Sequence, residues 1–283
     1  MFDALHFDFM RNALAAGLLT SIICGIIGTL VVVNRIVFLS GGIAHAAYGG
    51  IGLAFYFGLP YLPTTIGFSL AASMLMAAIS HAAKHRVDTI IGAVWAFGMA
   101  VGIILIDLSP GYNVDLMSYL FGSILTVPRS DLLIMLAVGG AMLILVVYYY
   151  QDLLAMSYDE EFARIRGVPV VGLYFGLIGM LAVAIVLVIR VVGLILVIAL
   201  LTMPPFIVEK YAKSLGQMML GSSLLGAAFT VVGLWLSYLY NLTSGASIIV
   251  VASVVFLLSL LFDQAWSRFR KRGAVSVTTD KDT

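Results

Sequence analysis

His45 is the one histidine set deep in an apolar run of this 283-residue chain, within Gly41-Gly42-Ile43-Ala44-His45-Ala46-Ala47-Tyr48-Gly49-Gly50. A neutral imidazole is a good ligand for zinc and related transition metals. The small residues around it leave room for an ion path or for a closely packed neighbouring helix. The same ring could equally donate to a helix backbone, so both readings stand at this point. Other candidates are weaker. Asp107 precedes Leu108-Ser109-Pro110-Gly111 and reads as the cap of an external loop, and Glu209 beside Lys210 reads as an interfacial pair. His81 and His85 flank a basic loop, where they sit in water or meet a departing ion. His6 lies near Asp3 and Asp8, and Met74, Met76, Met203, Met218 and Met219 read as packing residues. The single Cys24 excludes an internal disulfide and any site built from several cysteines. There is no H-E-x-x-H pair, no serine with a partner histidine at membrane depth and no G-x-x-x-x-G-K-[ST] loop, which argues against an intramembrane hydrolase and against ATP hydrolysis by this chain.

A second group is chemical in a different sense. Ser157-Tyr158-Asp159-Glu160-Glu161-Phe162-Ala163-Arg164-Ile165-Arg166-Gly167-Val168-Pro169 is the most polar internal stretch. Ser157 with Glu160 has the form of a capping box. Acidic residues in the first turn and basic ones in the last suit the helix dipole. Gly167 can take the left-handed position after the last turn, and Pro169 stops continuation. The pattern predicts a capped helix of two to three turns over 157–168, shaped as a docking surface for a partner.

The elements that must hold these groups are membrane helices. Residues are 62% hydrophobic and 10% charged, against about 25% charged in a soluble domain. A hydrocarbon core of about 30 Å needs roughly 20 apolar residues in a helix. The runs 11–33, 36–59, 62–83, 89–106, 130–150, 169–189, 191–208, 215–239 and 245–263 qualify, with the boundary near 190–193 weak enough to leave eight or nine crossings open. The fold class is therefore all-α: one polytopic bundle over 1–266 with a polar cytoplasmic tail over 267–283. Nine crossings from an external N-terminus put Arg35, Lys84 with Arg86, Arg164 with Arg166, Lys210 with Lys213, and the Arg268–Arg272 cluster on one face, the cytoplasmic one. Arg129 is the exception, and Arg190 is expected to snorkel outward. Gly98/Gly102, Gly172/Gly176 and Gly25/Gly28 have the spacing of close helix contacts. A net charge of +1 offers no field for nucleic acid.

Four stretches, in order, resemble the zinc/manganese-type ABC transporter permeases. They are residues 41–50, similar to a small-residue S-H-A segment; Asp115-Leu116-Met117-Ser118-Tyr119-Leu120-Phe121-Gly122-Ser123-Ile124-Leu125; Asp159 to Val168, similar to D-E-E-x-A-x-x-x-G; and Val192-Gly193-Leu194 through Pro204. The resemblance implies a homodimer in a bacterial or archaeal cytoplasmic membrane, with its C-terminus inside. It implies two separate ATPase subunits that use ATP-Mg, an extracytoplasmic binding protein that delivers the ion, and a divalent cargo such as zinc, manganese or iron. No cofactor would belong to this chain itself. Asp159, Glu160, Glu161, Phe162, Arg164, Arg166 and Gly167 would form the coupling helix, His45 would line the path, and Asp115 would be a helix cap or an entrance ligand. One departure matters: many members carry an Asp one turn before this histidine, and here that position is Gly41. A related architecture that carries metal chelates keeps a larger cargo open. A stand-alone carrier would leave the capped docking helix unexplained.

Overall fold

The computed structural model describes residues 7–82, 87–109, 122 and 124–278, with backbone only for 81, 82 and 265–278. No strand occurs among them. The helices are α1 (Asp8–Val33), α2 (Val37–Phe57), α3 (Tyr61–Ala82), α4 (Val87–Asp107), α5 (Arg129–Tyr148), α6 (Tyr150–Tyr158), α7 (Glu160–Ile165), α8 (Val170–Val192), α9 (Leu194–Glu209), α10 (Leu215–Tyr240) and α11 (Ser244–Thr278). A 3₁₀ turn covers Ile124–Thr126. Eight helices have the length and hydropathy of membrane spans. All eight coincide with apolar runs read from the sequence.

The ninth run is α9, with 16 residues and Pro204-Pro205 inside it. At 1.5 Å per residue it reaches about 24 Å, short of a hydrocarbon core. Its Leu196, Val197, Leu200 and Leu201 are buried, so it is sheathed by protein and need not match the lipid thickness. Pro205 has no N–H for the carbonyl of Leu201 four residues back. That carbonyl is turned instead toward Gly28 of α1, where a Cβ would lie 3.0 Å from the Leu201 carbonyl carbon. The two apolar runs are parted at Gly193, whose φ of 81° with ψ of 164° is open to glycine alone.

Polar groups gather at the two ends of the bundle. Asn34, Arg35, Ser157, Glu160, Glu209 and Ser214 line one cavity, and Ser80 and Arg164 line an adjoining one with Asn34 and Glu160. At the other end Asn12 donates to the carbonyl of Val127 at 3.3 Å, and Arg129 reaches Asp8 at 3.5 Å. Because α8 begins at the first end and closes with Arg190 at the second, α9 must return the chain. Nine passes result.

The interior is held by small residues. On α4, a Cβ at Gly98 would sit 3.1 Å from the Cα of Ala46, and one at Gly102 would lie 2.5 Å from the carbonyl carbon of Tyr48. Gly25 meets the backbone of Ser223 on α10 in the same way. Gly172 and Gly176 differ from expectation: nothing lies within 4 Å of either would-be Cβ, because the start of α8 turns that face outward.

Candidate functional site

His45 sits eight residues into α2, about 12 Å along the helix axis. Its ring stacks on the indole of Trp95 from α4, with centroids 4.4 Å apart and planes 16° from parallel. Phe38 also neighbours that indole, with ring centroids 6.3 Å apart. The imidazole is half-buried, and its Nδ1 is shielded from solvent without a hydrogen-bond partner. The reading of His45 as a histidine satisfied by a neighbouring backbone therefore finds no support at Nδ1. Stacking fixes the plane of the ring.

Gly41, one turn earlier, opens onto empty space, with nothing within 4 Å of a would-be Cβ. Gly92, three residues before Trp95 on α4, is equally open. The two glycines thus leave open positions beside the imidazole on an otherwise closely packed α2–α4 pair. No group of three or more His, Cys, Asp or Glu that could hold a metal occurs among the described residues. One imidazole per chain is a partial donor set, which a second copy across a symmetry axis would double. Asp115, His6, Lys84, His85 and Arg86 lie outside the described residues.

The polar stretch after α5 departs from the expected single helix. It is two helices with an extended residue between them. Asp159, at φ −149° and ψ 95°, is the N-cap of α7, and its carboxylate accepts from the backbone N–H of Phe162 at 2.9 Å. Ser157 is not the cap: it belongs to the last turn of α6, where its Oγ accepts from Asn34 Nδ2 at 2.9 Å. With Ser157 engaged by Asn34, Asp159 supplies a charged acceptor at the positive end of the helix. The C-terminal signal was read correctly. Gly167 has φ of 81°, its N–H reaches the carbonyl of Arg164 at 3.0 Å, and the N–H of Val168 reaches that of Ala163 at 3.0 Å. Those two bonds are the Schellman pair.

Glu160 and Arg164 form an ion pair one turn apart on α7, and Arg166 lies over the Phe162 ring at 5.7 Å. Ala163 is fully buried, while Phe162 is 51% and Ile165 85% exposed. An amphipathic helix normally hides such side chains. Here two large apolar groups and two carboxylates, Glu160 and Glu161, face outward together, on a helix locked at both ends.

Three groups escaped the sequence reading. Trp95 carried no local signal, since an indole in a membrane helix is ordinary. Arg190 pairs with Asp131 of α5 at 3.0 Å and lies over the ring of Tyr61. Two opposite charges inside adjoining apolar runs were a readable hint of that pair. Lys210 pairs with Asp263 of α11 rather than with Glu209. Gly122 also takes a role, with φ of 68° and a would-be Cβ 2.5 Å from the carbonyl oxygen of Val192. Two of the four family-like segments therefore meet at the break between α8 and α9.

Comparison with known proteins places these features in context. The model of the "ABC 3 transport family" matches residues 6–263. A membrane protein of Synechocystis without an assigned function is 49% identical over 93% of both chains. The manganese import system permease protein ScaB of Streptococcus gordonii is 33% identical, over 95% of this chain and 97% of its own. Among solved structures, PsaBC from Streptococcus pneumoniae in complex with Fab gives a TM-score of 0.83 at 34% identity, covering 91% of this chain and 93% of that one.

Proposed function

The chain belongs to the ABC 3 transport family of metal permeases, and from that premise we propose that it forms the membrane path of an ATP-driven importer of divalent metal ions. It is a transport subunit, not an enzyme. The observation that carries the reading is His45: a half-buried imidazole about 12 Å along α2, stacked on Trp95 beside the open positions Gly41 and Gly92, with a shielded Nδ1 that has no hydrogen-bond partner. An ion leaving water needs such ligands, since a charge in hydrocarbon is costly and polar groups there face internal cavities.

Two copies of the chain would bring two His45 rings to the two-fold axis, with Phe38, Gly41 and Trp95 around them. Imidazole suits zinc, whereas manganese favours carboxylate, carbonyl and water. With Gly41 where a carboxylate would add a hard oxygen ligand, zinc is the better cargo for this donor set. Asp115 would cap or line the external entrance. The basic end would face the cytoplasm, in keeping with the orientation bias of Lys and Arg, and the C-terminus would lie inside. An extracytoplasmic protein would deliver the ion above. Two ATPase subunits would dock below on α7, where Glu160 and Glu161 would meet basic groups and Phe162 would enter a groove. The capped ends of α7 suit force transmission, because Asp159 and Gly167 keep the helix formed while its outer face is engaged.

Proteoliposomes holding the chain with its ATPase and binding protein provide the test, with uptake measured for zinc, manganese and ferrous iron. We expect ATP-dependent uptake of one metal, lost in His45→Ala without loss of assembly. Normal uptake in that variant would remove His45 from the path. If no free ion moves, a chelated or organic cargo takes the place of the metal ion.

A further inference from the structure

We infer that Asn34, through its bond to Ser157, is a positioning residue that carries movement of the coupling segment into α2. The inference rests on the importer reading and concerns a residue that lies in neither α2 nor α7. Asn34 follows the last turn of α1. Its Nδ2 donates to the carbonyl of Leu30 at 2.8 Å, closing that turn, and to Ser157 Oγ at 2.9 Å. An amide nitrogen has two protons, and both are committed. One bond finishes a helix; the other crosses to a different element.

What flanks Asn34 gives the cross-link its meaning. Arg35 has φ of 57°, a left-handed conformation that a residue with a side chain rarely adopts. Only Arg35 and Ile36 separate Asn34 from α2, and His45 lies ten residues after Arg35 on that helix. On the other side, Ser157 is two residues before Asp159, the N-cap of α7. Helix α6 is tied at its start as well: the Tyr150 hydroxyl accepts from the backbone N–H of Gly216 at the beginning of α10, at 2.9 Å. The segment that ends in α7 is therefore anchored to α10 behind and to the α1–α2 turn ahead.

Leu153 and Met156 of α6 join the buried cluster that holds Leu30 and Val31 of α1, and the hydrogen bond extends that contact past the helix end. A polar cavity of about 550 Å³ surrounds it, lined by Asn34, Arg35, Ser157, Glu160, Glu209 and Ser214. A displacement of α7 has room at this end, and the hydrogen bond passes it on to the turn that sets the direction of α2. A purely structural role predicts otherwise, since the bond to Leu30 alone would suffice to cap α1.

The test separates the two bonds. Ser157→Ala removes the cross-link and leaves the cap; Asn34→Ala removes both; Asn34→Asp can accept from the Ser157 hydroxyl but cannot donate to Leu30. The measurement is metal ions imported per ATP hydrolysed, in proteoliposomes with the ATPase and binding protein. We expect the ratio to fall roughly fivefold in Ser157→Ala, the factor that one hydrogen bond of ordinary net strength controls. The double variant Asn34→Ala/Ser157→Ala should fall no further than Asn34→Ala, and Asn34→Asp should keep most of the ratio. An unchanged ratio in Ser157→Ala, or multiplied losses in the double variant, overturns the inference. A second readout does not require transport: reactivity of Phe38→Cys on α2 toward a water-soluble thiol reagent, with and without nucleotide. We expect a nucleotide-dependent change that Ser157→Ala abolishes. If uptake fails in the parent while that change persists and is lost in Ser157→Ala, the importer reading falls and the link stands. If the change survives in Ser157→Ala, or never occurs in the parent, the link falls.

Discussion

Gly41 and Gly42 are neighbours on α2 with opposite surroundings. A side chain at Gly42 would start 2.5 Å from Cγ2 of Ile91 on α4, whereas one at Gly41 would meet nothing within 4 Å. The difference extends along the helix. Gly49, Gly50 and Gly52 are pressed against α3 and α4, with Gly52 and Gly102 backbone to backbone. Gly41 and His45 occupy the face left open. In a membrane, helices gain little from burying apolar surface, because lipid is equally apolar, and they associate where small residues let backbones approach. One helix can thus use glycine twice, as adhesive on one side and as space on the other. A path for an ion needs both: a rigid wall behind the ligand and an opening before it.

The contrast can be broken by substitution, and the largest effect belongs to the seam. Gly102→Val places branched carbons against the backbone of Tyr48 and Gly49, which cannot yield as a side chain would. We expect a loss of about 3 kcal/mol or more, read as a collapse of monodisperse yield and thermal stability in detergent. A well-folded Gly102→Val would show that the α2–α4 seam is not what holds this wall. Gly42→Val should cost less, about 1–2 kcal/mol, because the obstructing atom is a side-chain methyl of Ile91 rather than backbone.

Gly167 sharpens the comparison from outside it. Space around it is open, yet φ of 81° penalises any side chain. Gly167→Leu should cost about 1 kcal/mol locally, leave the bundle assembled and release ATP hydrolysis from uptake. Retained coupling in that variant, and in Glu161→Lys, would remove α7 as the transmission element. Gly41→Asp should have the smallest effect on stability, with thermal unfolding unchanged, because the new carboxylate enters empty space. Its effect is chemical: competition uptake should move from zinc toward manganese. A destabilised Gly41→Asp would mean that this face is packed against something in the assembly.

The sequence disclosed the start of each membrane helix to within about three residues because hydropathy, turn residues and length are local properties, but it missed α6 and the continuation of α11 to Thr278. It also disclosed the C-terminal lock of α7, since a glycine followed two residues later by proline has few other uses at a helix end. It misassigned the N-terminal lock. Ser157 and Asp159 are both acceptable caps by type, and the choice went to Asp159 once Asn34, more than a hundred residues away, engaged Ser157. The partner of Arg190 stayed hidden for a similar reason: Asp131, on another helix, lies 3.0 Å from it.

The sequence by itself determined that this chain crosses a membrane, how many times it could do so, where its charged end lies and which polar groups are scarce enough to matter. These follow from the cost of placing backbone and charge in hydrocarbon, a cost each segment meets alone. Only the tertiary structure decided that Gly41 faces space and Gly42 a wall, that Trp95 holds the ring of His45, and that Asn34 joins the turn before α2 to the segment before α7. Those outcomes depend on the rotation and crossing of helices about one another. That geometry is set by which small residues meet across the interface, and a single helix, read along its own length, does not contain it.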